Sequence, residues 1–283
     1  MRRFAIALAL TLAATAAFAH DDFDHRSSAE ECSPDHIRFD DQRVYVKKEV
    51  IEASSLRSLK AAVTDSPISV EGGNANGYTI IVCKAATVES DLDRIHVTLN
   101  GNELRTDGPE GRRRWTVMVH VRAPRGADID VEAENGPVAI RDLDGTVVAR
   151  AANGPLSLKN VGGNVDATTT NGPISISGGS GTMKLKASNG PLSVHLDGAS
   201  FHGSLDASTK NGPLSVKLPR NFGSGVLIES RGHGPISCKA EGCNRGWRSD
   251  DDGEPRRIEL GSGPTNVRLS TTNGPVTVKD STP

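Results

Sequence analysis

Three groups of residues in this chain have the types and spacing that chemistry would need. The first is His20-Asp21-Asp22-Phe23-Asp24-His25, with His36 a short way on. Imidazoles, carboxylates and, after export processing, the chain amine could together bind copper or zinc. The spacing fits no strict ligand motif, and a solvated leader is the plainer reading, because first residues are seldom tied down. The second group is Asp166, Lys184 and Asp206, which fall at matching positions of successive repeats. Some polysaccharide-cleaving enzymes work with a carboxylate pair. Here a lysine stands between the two acids, which would lie about 10 Å apart at ordinary strand spacing. An alternating column of this kind reads as surface charge pairing. The third group lies four residues after each turn proline: Arg141, Lys159, Ser177, His195, Lys217, Lys239 and Lys279. Like charges stacked along one axis repel, so the column does nothing for stability. It would suit an anionic glycan, a lipopolysaccharide phosphate or another acidic envelope surface. Lysines that blunt strand ends and aid solubility are the bland alternative.

The elements that must position these residues come from an internal repeat. Asn-Gly-Pro occurs at 135–137, 153–155, 171–173, 189–191, 211–213 and 273–275. Gly234-Pro235 and Gly263-Pro264 are degenerate copies, and Ser66-Pro67-Ile68-Ser69-Val70 is an early one. The first four copies are 18 residues apart and the next two steps are 22. An apolar–small–apolar triplet follows each turn, as in Leu156-Ser157-Leu158 and Ile174-Ser175-Ile176. Such alternation predicts strands with one face buried. Val138, Leu156, Ile174 and Leu192 stay in phase as one column, and Val147, Val165 and Met183 as another. A single repeat is too small to bury its own apolar face, so repeats must stack. Stacked Asn side chains could bond one another along the axis. Between the apolar positions runs a column of small residues: Ser69, Ala139, Ser157, Ser175, Ser193, Ser215, Ser237 and Thr277. It predicts a flat, hydroxyl-rich outer face suited to a partner sheet or a regular polysaccharide. An ordinary solvated sheet face would look the same. The expected fold is all-β: a single-domain right-handed parallel β-helix or β-solenoid with rungs of 18–22 residues.

The stretch Trp115-Thr116-Val117-Met118-Val119-His120-Val121-Arg122-Ala123-Pro124-Arg125-Gly126-Ala127 leads straight into the Asn-Gly-Pro series. That arrangement, over roughly residues 55 to 280, resembles the bacterial "putative adhesin" family of exported domains. The resemblance implies a β-helix-like fold at the cell envelope and supplies no functional residues.

The chain opens Met1-Arg2-Arg3 and continues in an apolar run from Phe4 to Phe18, then Ala19, which reads as a secretory signal over 1–19. The run is shorter than the roughly 20 residues a membrane span takes, so no transmembrane segment is expected in the mature protein. The protein is expected to be periplasmic, secreted or at the cell surface. Residues 20–43 read as a flexible polar leader and 44–283 as the solenoid domain, with regular repeats at 131–237, a side loop at 238–258 and closing strands at 259–280. With 33 basic against 35 acidic side chains, the formal charge is −2, and −4 without Arg2 and Arg3. That excludes the basic footprint of a nucleic-acid binder. Cys32, Cys83, Cys238 and Cys243 allow three disulfide pairings. Cys32–Cys83 and Cys238–Cys243 are favoured, and the spacing does not match a zinc site. No nucleophile elbow, phosphate loop or metal-protease pattern occurs. The expectation is a non-catalytic envelope protein without a cofactor, binding an anionic glycan or surface through one long face. A polysaccharide-acting enzyme and a purely structural or envelope-stress protein are the alternatives.

Overall fold

The computed structural model describes residues 29, 32–39, 42–110, 114–232, 234–245, 247–248 and 256–281. The signal segment, His20 to His25 and the acidic run Asp250-Asp251-Asp252 lie outside the described residues. The N-terminal part forms β1 (Tyr45–Ala53), β2 (Ser58–Val63), β3 (Ile68–Gly73), β4 (Tyr78–Ala86), β5 (His96–Asn100), β6 (Glu103–Asp107) and β7 (Trp115–Pro124). The repeats then supply β8 (Asp128–Asn135), β9 (Val138–Arg141), β10 (Thr146–Asn153), β11 (Leu156–Lys159), β12 (Asn164–Asn171) and β13 (Ile174–Ser177). They continue through β14 (Gly181–Asn189), β15 (Leu192–His195), β16 (Gly203–Asn211) and β17 (Leu214–Leu218). The C-terminal part forms β18 (Gly225–Ser230), β19 (Ile236–Cys238), β20 (Trp247–Arg248), β21 (Arg256–Leu260), β22 (Thr265–Asn273) and β23 (Val276–Asp280).

The repeat makes two strands of different length because of what lies between them. Each longer strand ends at Asn, the Gly-Pro pair turns the corner, and a four- or five-residue strand follows, as in β10 to β11 and β16 to β17. Hydrogen bonding runs through the corner: Gly154 N–H donates to Asn171 C=O at 3.0 Å and Leu156 N–H to Pro173 C=O at 2.9 Å. Proline occupies the one corner position whose N–H the ladder does not need. The corner asparagines form a side-chain ladder, with Nδ2 to Oδ1 distances of 2.9 to 3.0 Å from Asn153 through Asn273. Asn135 closes its end by donating to Asp65 at 2.7 Å. Corner glycines pack backbone to backbone, because a Cβ at Gly154, Gly172, Gly190, Gly212 or Gly274 would collide with the carbonyl oxygen of the glycine on the neighbouring strand.

Longer and shorter strands sort into two large mixed sheets. The eleven-stranded sheet runs β1-β4-β7-β3-β9-β11-β13-β15-β17-β23-β19, and the twelve-stranded sheet β20-β21-β18-β22-β16-β14-β12-β10-β8-β2-β6-β5. Through the repeats every pairing is parallel and in register, setting Leu156 beside Val138 and Ile174, and Val147 beside Val165. The core lies between the sheets, where these columns are almost wholly buried. At the ends the uniform parallel pairing gives way to antiparallel pairs: β1 with β4, β4 with β7, β5 with β6, β18 with β21 and β20 with β21. Neither sheet closes on itself, and no strand of one pairs with a strand of the other.

Spatial order departs from chain order at both ends. The β2–β3 pair lies between β6–β7 and β8–β9, and β22–β23, last in the chain, lies between β16–β17 and β18–β19. On β4 and β7 both faces are buried, because residues of the N-terminal segment cover the outer one. Cys32, Ile37, Cys83, Ala85 and Met118 form a second small core with Phe39, Val44 and Val46 packed on it. Disulfides join Cys32 to Cys83, 51 residues apart, and Cys238 to Cys243. Near this end Lys47 Nζ meets Asp93 at 2.8 Å, which holds the Asp93 carboxyl below the usual carboxylate range. Burial pushes the Tyr78 phenol up to about 12, with Asp128 adding to the shift.

Candidate functional site

Each residue of the basic column is the last outward-facing side chain of its short strand in the eleven-stranded sheet, except Lys239, which directly follows β19. In β9, Val138 and Ile140 point into the core while Ala139 and Arg141 point out. The strand stops there because the next residue adopts a left-handed conformation: Asp142 at φ 56°, Asn160 at 51° and Gly178 at 66°. These residue types reach that region more readily than others. The bend returns the chain to the other sheet and leaves a charged head group at the rim.

Register fixes the spatial order as Arg122, Glu71, Arg141, Lys159, Ser177, His195, Lys217 and Lys279. Lys239 follows, since its N–H donates to Val278 C=O at 2.8 Å beside Lys279. The column therefore differs from chain order: the inserted C-terminal pair of strands places Lys279 between Lys217 and Lys239. Glu71 and Arg122 extend it at the other end. Glu71 was legible, because it stands four residues after Pro67 of the early repeat. Arg122 was not, because β7 carries no Gly-Pro corner.

Electrostatics divide the column. At the N-terminal end Arg141 Nη2 lies 3.5 Å from Glu71 Oε2. In the middle, His195 Nε2 lies 2.9 Å from Asp197 Oδ1. At the C-terminal end, among the described residues, no carboxylate lies within 4.0 Å of Lys217, Lys279 or Lys239. The nearby Asp280 is engaged elsewhere, accepting from the Glu241 N–H at 3.2 Å and lying 3.7 Å from Arg220. Lys239 and Lys279 are exposed and Lys217 is half-buried.

Beside the basic column runs the hydroxyl column, two residues back on each strand. Its order is Ser69, Ala139, Ser157, Ser175, Ser193, Ser215, Thr277 and Ser237. From Ala139 onward these side chains are half-buried on a flat face. Ser69 differs: it is 6% exposed, and its Oγ lies 2.8 Å from His120 Nδ1. His120 Nε2 in turn lies 3.7 Å from Glu71 Oε2. Serine, histidine and glutamate in this order suggest a nucleophile relay. His120 is wholly buried, however, and 3.7 Å is beyond a hydrogen bond. No substrate carbonyl could reach Ser69 there, so the trio serves as internal polar packing. Sequence reading missed it because no repeat connects β7 to β3.

The outer face of the twelve-stranded sheet carries the second candidate group. Register sets Asp166 beside Lys184, Lys184 beside Asp206, and Asp206 beside Arg268. Charges alternate across four strands and no two carboxylates are adjacent. An open groove of about 310 Å³ lies near the β2, β8 and β10 strands, lined in part by Ser58, Asn102, Asp128, Asp130 and Thr146. Its polar groups serve one another: Asp128 accepts from Thr146 N–H at 2.8 Å, Asp130 from Arg150 at 3.0 Å, and Asn102 donates to Ser58 at 3.0 Å. The His20 to His25 group lies outside the described residues. Among those described, no three His, Cys, Asp or Glu side chains gather as metal ligands. None of the described helices is long and apolar enough to cross a membrane.

No family model matches the chain, and no curated protein matches it in sequence. Solved structures similar to it include a "putative adhesin" from Parabacteroides merdae, at 11% identity over 86% of this chain and 98% of that one, with a TM-score of 0.40. A "putative cell adhesion protein" from Clostridium sporogenes shares 9% identity over 84% of this chain and 100% of that one, with a TM-score of 0.35. A "putative lipid binding protein" from Parabacteroides distasonis shares 8% over 84% and 97%, with a TM-score of 0.31.

Proposed function

We propose that this chain is a non-catalytic, exported envelope protein of adhesin-like type, whose stacked strand pairs form a right-handed solenoid scaffold. It holds an anionic glycan or surface on the outer face of the eleven-stranded sheet. The observation that carries this reading is the run of Lys217 on β17, Lys279 on the adjacent β23 and Lys239 directly after β19, without a carboxylate partner among the described residues. Like charges directly opposite on neighbouring strands are destabilising. A ligand that supplies negative charge offsets that repulsion. Two disulfides suit an oxidising compartment outside the cytosol. A polysaccharide-cleaving enzyme is the weaker reading, because the outward acids alternate with bases instead of pairing.

The test is co-sedimentation of the mature protein with envelope fractions and anionic glycans across a salt series. A variant with Lys217, Lys279 and Lys239 changed to Gln runs alongside. Binding that weakens with salt and disappears in the variant supports the reading. Binding by neither protein removes it and leaves a structural role.

A further inference from the structure

The inserted C-terminal strand pair has a second consequence for this surface. Lys279 and Thr277 belong to β23, which is hydrogen-bonded to β17 on one side and β19 on the other. Without β23 in place, Lys217 and Lys239 would face each other across an empty strand position. With it, three lysines stand on neighbouring backbones about 4.8 Å apart, the ordinary spacing of strands. Ser215, Thr277 and Ser237 form a parallel row of hydroxyls two residues back. We infer that the anionic-glycan site is these three strands alone, and that binding there is coupled to the seating of β22–β23 between its two neighbouring strand pairs.

This rests on the reading given under Proposed function and narrows it. A row of hydroxyls beside a row of ammonium groups on a flat face matches a linear sugar polymer that carries both hydroxyls and carboxylates. A polymer of phosphates alone would use only the lysines. The rest of the column is less suited: Arg141 and His195 already have carboxylate neighbours, and Ser177 interrupts the charge. Coupling follows from linkage. Repulsion among the three lysines opposes seating of β23, and a ligand that touches Lys279 together with Lys217 and Lys239 binds only the seated form. It therefore stabilises that form in proportion to its occupancy.

The experiment is hydrogen exchange of the full mature chain, read by mass spectrometry over peptides spanning Val276–Asp280, with polygalacturonate oligomers as the probe. Dextran of equal length and inorganic polyphosphate serve as comparisons. The expected result is protection of β23 that rises with polygalacturonate, approaching about 100-fold at one hundred times Kd, and no change with dextran. Lys279→Gln should weaken binding about threefold to fivefold, the scale of one exposed ion pair. The same change should raise protection of the unliganded β23, because it removes the central charge. Lys159→Gln should leave both readouts unchanged. Polygalacturonate binding without added protection overturns the coupling and leaves the proposed function standing. Equal loss in Lys159→Gln and Lys279→Gln overturns the confinement to three strands. Tighter binding of polyphosphate than of polygalacturonate overturns the role of the hydroxyls. Absence of binding to any polyanion removes this inference and the proposed function together.

Discussion

Replacing Gly172 by alanine tests whether the corners hold the stack together. A Cβ there would collide with the carbonyl oxygen of Gly154, which belongs to backbone and cannot swing aside. The two strand pairs would have to separate at that corner. Three bonds would stretch or break: Gly154 N–H to Asn171 C=O at 3.0 Å, Leu156 N–H to Pro173 C=O at 2.9 Å, and Asn171 to Asn153 at 2.9 Å. At about 1 kcal/mol net per bond the loss is about 3 kcal/mol. Restricting the unfolded chain returns about 0.4–1 kcal/mol of that, so the expected destabilisation is about 2–3 kcal/mol. The matched control is Gly126→Ala, where a Cβ meets nothing within 4 Å and φ is not left-handed. That change should be neutral or slightly stabilising. Urea unfolding followed by tryptophan fluorescence and far-UV circular dichroism reads both. If Gly172→Ala falls within about 0.5 kcal/mol of Gly126→Ala, the close-packed corner is not what sets the spacing of the stack, and the reasoning fails.

Asn171→Ala removes a donor to Asn153 and an acceptor for Asn189, both exposed, and should cost about 1 kcal/mol in the same assay. Replacing Cys32 and Cys83 by alanine opens a 51-residue loop and should cost about 4 kcal/mol, against about 2 kcal/mol for Cys238 and Cys243, as loop entropy predicts. Tyr78 should resist ionisation until about pH 12, visible as a late phenolate step in ultraviolet titration. Its folded value lies above its unfolded one, so this contribution to stability is intact below about pH 10 and declines as pH rises from there. Asp93 should titrate below the usual carboxylate range by NMR and return to it in Lys47→Ala, because the Lys47 ammonium is the main cause. Its contribution is present above the unfolded value and fades as pH falls through the folded one.

The repeat made one half of the architecture legible and left the other half open, for a physical reason. Wherever corners recur at 18 or 22 residues, local pattern and pairing agree. The column Val138, Leu156, Ile174 and Leu192 follows at once, as does the asparagine ladder. At the ends, pattern says that a strand exists and leaves its neighbour undetermined. The open edges of β16 and β17 present the same alternation and the same Asn-Gly-Pro corner to any later pair. Both 225–238 and 265–280 satisfy that edge, and the structure uses the second. That choice could not be read from spacing, so Lys279 was placed at the end of the column instead of inside it. In β7 the stretch Val117 to Val121, apolar at every position but His120, did carry a usable signal, because burial of both faces erases alternation. The covering segment that explains it includes Cys32 and Ile37, and nothing in their local sequence names β4 or β7 as their partner. The Ser69, His120 and Glu71 trio was hidden for the same reason, since its members meet only through the β3–β7 pairing.

The placement of β23 also bears on force. A strand at the rim of a sheet can be peeled away one hydrogen bond at a time. β23 is paired along one edge from Leu214↔Val276 to Leu218↔Asp280 and along the other from Ile236↔Val276 to Cys238↔Val278. A pull on the C-terminus along the strand therefore loads both ladders together and in shear. The three-residue β19 beyond it is tied back by the Cys238–Cys243 bridge. Under tension from that end the stack would hold until two ladders slipped at once, which slows rupture without raising equilibrium stability, because forced unfolding is governed by the unfolding rate.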